Sequence, residues 1–157
     1  MNKFFILPLL VTNLTRFQVD KKWLEKIGQK VWRILDLDNR KKVGLILVTS
    51  PRIQELNKKF RHKDEVTDIL SFNYQENDIP QDQDVFFGHT SNDWGDLVVC
   101  LKQVKDHARA AKKPWQAELT EVLIHGILHL MGMDHVTKIG YRQMETKTRS
   151  VLGELNF

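Results

Sequence analysis

The chain lacks the features that mark secreted, fibrous or membrane proteins. It has one cysteine in 157 residues, Cys100, so no internal disulfide can form and nothing in it requires an oxidising compartment. A reducing cytoplasm is the expected location. No stretch approaches the roughly 20 consecutive apolar residues needed to cross a bilayer, so a membrane is not among the expected partners. The apolar run at residues 4–11 follows Lys3 and superficially resembles a short leader. Pro8 interrupts it, however, and no small-residue cleavage site follows, so it reads as a buried first strand. Internal repeats, Ser/Gly-rich linkers and low-complexity tracts are also missing, and the scattered Pro and Gly residues are therefore expected to mark turns inside one fold.

What is present suits a single domain spanning residues 1–157. Apolar residues at 41% and charged residues at 28% are ordinary for a globular protein, and the length suffices to bury a core without disulfide or metal staples. Lys and Arg exceed Asp and Glu by 24 to 20, a formal charge of +4. That excess permits a polyanionic partner through local basic clusters without requiring one.

Apolar periodicity supplies the elements. Residues 1–11 are expected as strand. With Asp20 as N-cap, Trp23, Leu24, Ile27, Val31, Ile34 and Leu35 recur at helical spacing, and the helix is expected to end near Asp36. Residues 43–49 are almost wholly apolar, as in a strand covered on both faces. Ser50 as N-cap with Pro51 at the first helical position opens a second helix, whose inward stripe is Ile53, Leu56, Asn57 and Phe60. Strands are expected at 69–74 and 96–101, separated by a polar stretch at 75–94 that reads as a long mobile loop. Helical spacing returns over 101–113. A further helix runs from Pro114 to Met131, where Gly132 stops it. A last helix is expected over 137–152, with Ile139, Met144, Val151 and Leu152 as core contacts. Strands and helices mix without strict alternation. The expected class is therefore α+β, one small mixed sheet of about four strands packed against several helices.

Three of the six histidines fall within residues 125–135. Positions four apart on a helix lie on one face, about 6 Å apart along the axis, so His125 and His129 can aim their imidazoles at one ion. Gly132 lets the chain turn back and bring His135 to the same point. Three neutral imidazoles leave one tetrahedral position for water, the arrangement of a catalytic zinc at the C-terminal end of a buried helix. Copper, nickel, cobalt and iron are chemically compatible alternatives. Asp134 adjoins the third histidine, where it either orients an imidazole or stabilises the turn. Glu118, Glu121, His125 and His129 form the polar stripe of an otherwise apolar helix. The offsets match the H-E-x-x-H-x-x-G-x-x-H pattern of metzincin proteases except at one position, where Gly126 replaces the glutamate that serves as general base.

With glycine there, the pattern H-G-x-L-H-L-x-G-x-D-H resembles the signature of the YbeY family of bacterial endoribonucleases and rRNA maturation factors. Leu56-Asn57, Phe60-Arg61 and the Thr-Asp-Ile-Leu-Ser-Phe run at 67–72 resemble the family's L-N-x-x-[YF]-R and T-D-V-L-S-F segments. Gly95-Asp96-Leu97 resembles its G-D-I strand start, while Val66 stands where the family commonly has proline. The resemblance implies a metal-dependent ribonuclease preferring single strands, linked to maturation of small-subunit (16S) rRNA and to ribosome quality control. It implies His125, His129 and His135 as metal ligands and Arg61 as the basic residue facing the substrate cleft, with Asp68 and Asp134 in support. RNA, rRNA above all, is then the expected partner, together with the small ribosomal subunit or its assembly factors. Basic residues cluster at 40–42, at Lys58, Lys59, Arg61, His62 and Lys63, and at Lys102, Lys105, Arg109, Lys112 and Lys113. They line an RNA track or form a solvated face. Two rival classes stand beside the nuclease: a metalloprotease-like hydrolase and a non-catalytic, zinc-stabilised ribosome assembly factor.

Overall fold

The computed structural model describes residues 7–80, 82 and 93–156. Four strands, β1 (Leu9–Asn13), β2 (Lys42–Val48), β3 (Ile69–Asn73) and β4 (Asp93–Cys100), form one sheet in the order β1-β2-β4-β3. The β1–β2 and β2–β4 pairs are parallel, and β3 runs antiparallel to β4 along one edge. The expected α+β class with a small mixed sheet is what forms. Five helices accompany it: α1 (Lys21–Ile34), α2 (Ser50–Arg61), α3 (Leu101–Ala110), α4 (Trp115–Leu130) and α5 (Lys138–Glu154).

The sheet has two covered faces, which explains why β2 and β4 read as continuous apolar runs. On one face Val43, Leu45, Leu47, Leu97 and Val99 join the larger core with residues of α1, α3, α4 and α5. On the other face Ile46, Val48, Leu70, Phe72 and Val98 pack against Ile53 and Leu56 of α2. Helix α4 is the most deeply embedded element, with nine buried residues from Leu119 to Leu130.

Several boundaries differ from the sequence expectations for local reasons. The first strand lies at Leu9–Asn13; residues 1–6 fall outside the described set. Asp20 caps α1 as expected, accepting from the Trp23 amide at 3.0 Å. Ser50 does not cap α2: Thr49 holds that position, and Ser50 starts the helix with its hydroxyl 3.4 Å from Cys100 Sγ. Tyr74 begins a 3₁₀ turn, Tyr74–Glu76, instead of ending β3. Strand β4 starts earlier than expected and stops at Cys100, so Leu101 opens α3. That helix ends at Ala110, and Lys112 beyond it is left-handed at φ 54°. Ile139 is 71% exposed and is not a core contact, whereas Met144 and Val151 are buried. Most of the polar stretch at 75–94 lies outside the described residues.

Gly126 sets how closely α4 approaches the sheet. A Cβ built there would lie 2.8 Å from both Ile69 Cδ1 and Leu97 Cδ2, so the position faces the strands. A glutamate there would point into that packing. The expected outcome of Gly126→Val is overpacking that costs about 1–3 kcal/mol, read as a lower urea midpoint with unchanged m-value.

Candidate metal centre

His125 and His129 sit one turn apart on the polar stripe of α4, both partly buried. After Leu130 the helix stops through backbone bonds from Gly132 N to His129 O and from Met133 N to Leu128 O. Gly132 has a φ of 89°, a conformation that favours glycine and reverses the chain. Asp134 then closes the next turn, its Oδ1 accepting from the Val136 amide at 3.0 Å. Thr137 caps α5 by accepting from Gly140 N. This sequence of turns folds His135 back over the end of α4.

The three imidazoles converge. His129 Nε2 lies 3.2 Å from His125 Nε2 and 3.0 Å from His135 Nδ1. The three ligand atoms all lie within 4.8 Å of one another, the one such group among the described residues. An imidazole nitrogen has one in-plane proton or one lone pair, so His129 Nε2 cannot form good hydrogen bonds with both neighbours at once. A shared cation explains the geometry better. With Zn–N bonds of roughly 2.0–2.1 Å, the edge of a tetrahedron is about 3.3 Å, close to both separations. The donor set therefore fits a divalent transition metal.

Electrostatics keep these nitrogens available. Burial, and next the charge of His135, push His125 below its ordinary value, against opposing pulls from Asp68 and Glu121. Burial together with His125 and His135 lowers His129 to about 4. Both rings are therefore neutral at neutral pH, the form that binds metal.

The other predicted residues separate into two places. Asp68 reaches the site, lining with His125 a cavity between the start of β3, α4 and α5. Its Oδ2 lies 3.4 Å from His107 Nδ1. Arg61 is not among the residues lining that cavity. It extends from the last turn of α2 to the outer edge of β3, where Nη2 donates to Ser71 O at 2.8 Å and to Asp78 Oδ2 at 2.6 Å. Its guanidinium stacks 4.7 Å from the centroid of Phe72. The Asp78 partnership was invisible in sequence because the two residues lie 17 positions apart. Tyr141, Glu145 and Thr148 also line the cavity and were missed as site residues. Their spacing of three and four on α5, around the buried Met144, is the signal that could have found them.

The basic clusters are partly paired within the chain. Lys58 pairs with Asp64, Lys59 with Asp82, and Lys102 with Asp106. Lys113 contacts Glu118 and Glu121, and Lys105 lies over the rings of Phe17 and Trp115.

Two outcomes follow for the metal-free protein. Its folded state binds fewer protons at His129 than the unfolded chain does, between the ordinary value of 6.5 and about 4. This contribution to stability is complete above that window and is lost as pH falls through it, so the melting temperature should drop more between about pH 7 and pH 5 than it does in His129→Ala. At neutral pH, zinc at a hundredfold excess over its Kd should add about 2.7 kcal/mol to unfolding, and His129→Ala should remove that gain.

Comparison with known proteins gives the family. A family model described as Endoribonuclease YbeY matches residues 11–156. The Endoribonuclease YbeY of Francisella philomiragia is 35% identical over 114 residues, covering 72% of this chain and 68% of that protein. That of Hydrogenovibrio crunogenus is 34% identical over 138 residues, covering 87% and 80%. The solution structure of TM1509 from Thermotoga maritima superimposes with a TM-score of 0.58 at 29% identity, covering 94% of this chain and 91% of that one. No described helix is long and apolar enough to cross a membrane. With a match that begins inside β1, ends past α5 and encloses all three histidines, the chain belongs to the YbeY family of endoribonucleases.

Proposed function

We propose that this protein is a zinc-dependent endoribonuclease that prefers single strands and acts in the cytoplasm on small-subunit rRNA during its maturation. The observation that carries the reading is the convergence of three imidazoles, with His129 Nε2 3.2 Å and 3.0 Å from its two neighbours, within a chain of this family. When bound, the ion supplies Lewis acidity towards a phosphoryl oxygen and activates water.

The chain's own residues do the rest. His125, His129 and His135 hold the ion in a face open to solvent at His135, which is exposed. Asp134 keeps His135 in place through the turn it closes. Asp68 lines the cavity beside His125 and lies within 3.4 Å of His107, which orients its carboxylate. Arg61 receives an RNA phosphate by exchanging the Asp78 carboxylate for a phosphate oxygen, since both present the planar fork with the same acceptor geometry. The ribosomal subunit or its assembly factors would deliver the RNA. Position 126 faces the sheet, so the protease-like alternative has no base at that site.

Cleavage of a single-stranded RNA, measured with metal analysis and with and without chelator, tests the reading. Zinc should co-purify at one ion per chain, and activity should vanish with chelator and with His129→Ala. Full activity in a metal-free variant would sink the scheme, and a zinc-loaded but inactive protein would favour the non-catalytic assembly factor. Arg61→Ala should weaken substrate use by about 10- to 100-fold, the value of a charged hydrogen bond. RNA affinity should also fall steeply as salt rises.

A further inference from the structure

The cavity beside His125 has a volume of about 390 Å³, within the roughly 300–1,000 Å³ of small-ligand sites. Its wall is unlike a phosphate site. Four carboxylates border it, from Asp68, Glu118, Glu121 and Glu145. Lys113 Nζ lies 2.6 Å from Glu118 Oε2 and from Glu121 Oε2, and Arg149 Nη2 lies 2.6 Å from Glu145 Oε1. Even with His107 charged beside Asp68, the carboxylates outnumber these cations. The wall therefore repels phosphate while offering spare lone pairs to N–H donors.

The rest of the lining is apolar and aromatic. Ile69 and Met144 supply greasy surface, and Tyr141, 54% exposed, stands where this cavity meets the depression that holds His135. An independent observation points to a ligand. Thr148 is 6% exposed and lines the cavity, yet its Oγ1 has no hydrogen-bond partner among the described residues. A buried hydroxyl left unpaired costs stability, and a polar group entering the cavity would relieve that cost.

We propose, resting on the ribonuclease reading, that this cavity receives the base of the nucleotide whose phosphate lies at the histidines, and that it favours bases with an exocyclic amine over uracil. Cytosine, adenine and guanine donate an amine N–H to the carboxylates, whereas uracil has a single ring N–H flanked by two carbonyl oxygens that the carboxylates repel. Tyr141 stacks on the base, a contact every base can make. Thr148 meets a polar edge at the floor. The phosphate, excluded by the acidic wall, stays at the histidines.

The test uses zinc-loaded protein and RNA strands of uniform uracil carrying one cytosine, adenine, guanine or abasic position. Cleavage beside the amine-bearing bases should exceed cleavage beside uracil by roughly tenfold, with the abasic position lowest. Thr148→Val and Tyr141→Ala should flatten that ratio at unchanged zinc content, and Thr148→Val should not lower the melting temperature. Tyr141→Trp should keep the preference. Base-indifferent cleavage by the parent protein, or a ratio untouched by both variants, overturns the proposal. Should the parent protein cleave no RNA, the ribonuclease reading falls, and titration with free cytidine and uridine still judges the cavity. Cytidine should then shift the methyl resonances of Met144 and Thr148 where uridine does not; equal or absent shifts overturn the proposal.

Discussion

Gly126 is where α4 meets the sheet, and its missing side chain fixes the depth at which the helix lies against Ile69 and Leu97. Because the helix is embedded there, its polar stripe emerges only at the end of the core, and His125 and His129 stand on that stripe half-buried. Their depressed basicity follows from that depth, and so does their readiness to bind metal. The same approach brings the start of β3, with Asp68, to the flank of His125 and leaves the cavity open between β3, α4 and α5.

The parts of this arrangement that sequence conveys are those set by local chemistry. The spacing of His125 and His129 is a property of one helix, and Gly132 announces the reversal that returns His135. The apolar runs of β2 and β4 announce burial on both faces. Arg61 is the contrast. Its motif and its charge were legible, but its engagement with Asp78 and Ser71 depends on how α2 crosses the edge of β3, which no short-range pattern encodes. Tyr141 and Thr148 belong to the same category. Their helical spacing was visible, but which helix they face was not. Ser50 differs by one position: Thr and Ser are adjacent and both suit a cap, and the helix begins at Ser50, whose hydroxyl lies against Cys100, with Thr49 preceding it.

Charge is distributed with a similar logic. Several basic residues of α2 and α3 are held in local pairs, while four carboxylates, more than their paired cations, border the cavity beside the histidines. On the proposed reading, an anionic polymer would meet a recess bordered by carboxylates directly beside the three histidines. That juxtaposition separates backbone from base in space.

Arg61 has a second consequence that arises from the position of β3. That strand ends the sheet, and an outer strand with free carbonyls is a template on which another chain can add itself. The guanidinium occupies Ser71 O, covers the Phe72 ring and places a charge with its counter-ion along that border. One side chain thus occupies an outward carbonyl, shields an aromatic ring and sets charge along the border of the sheet.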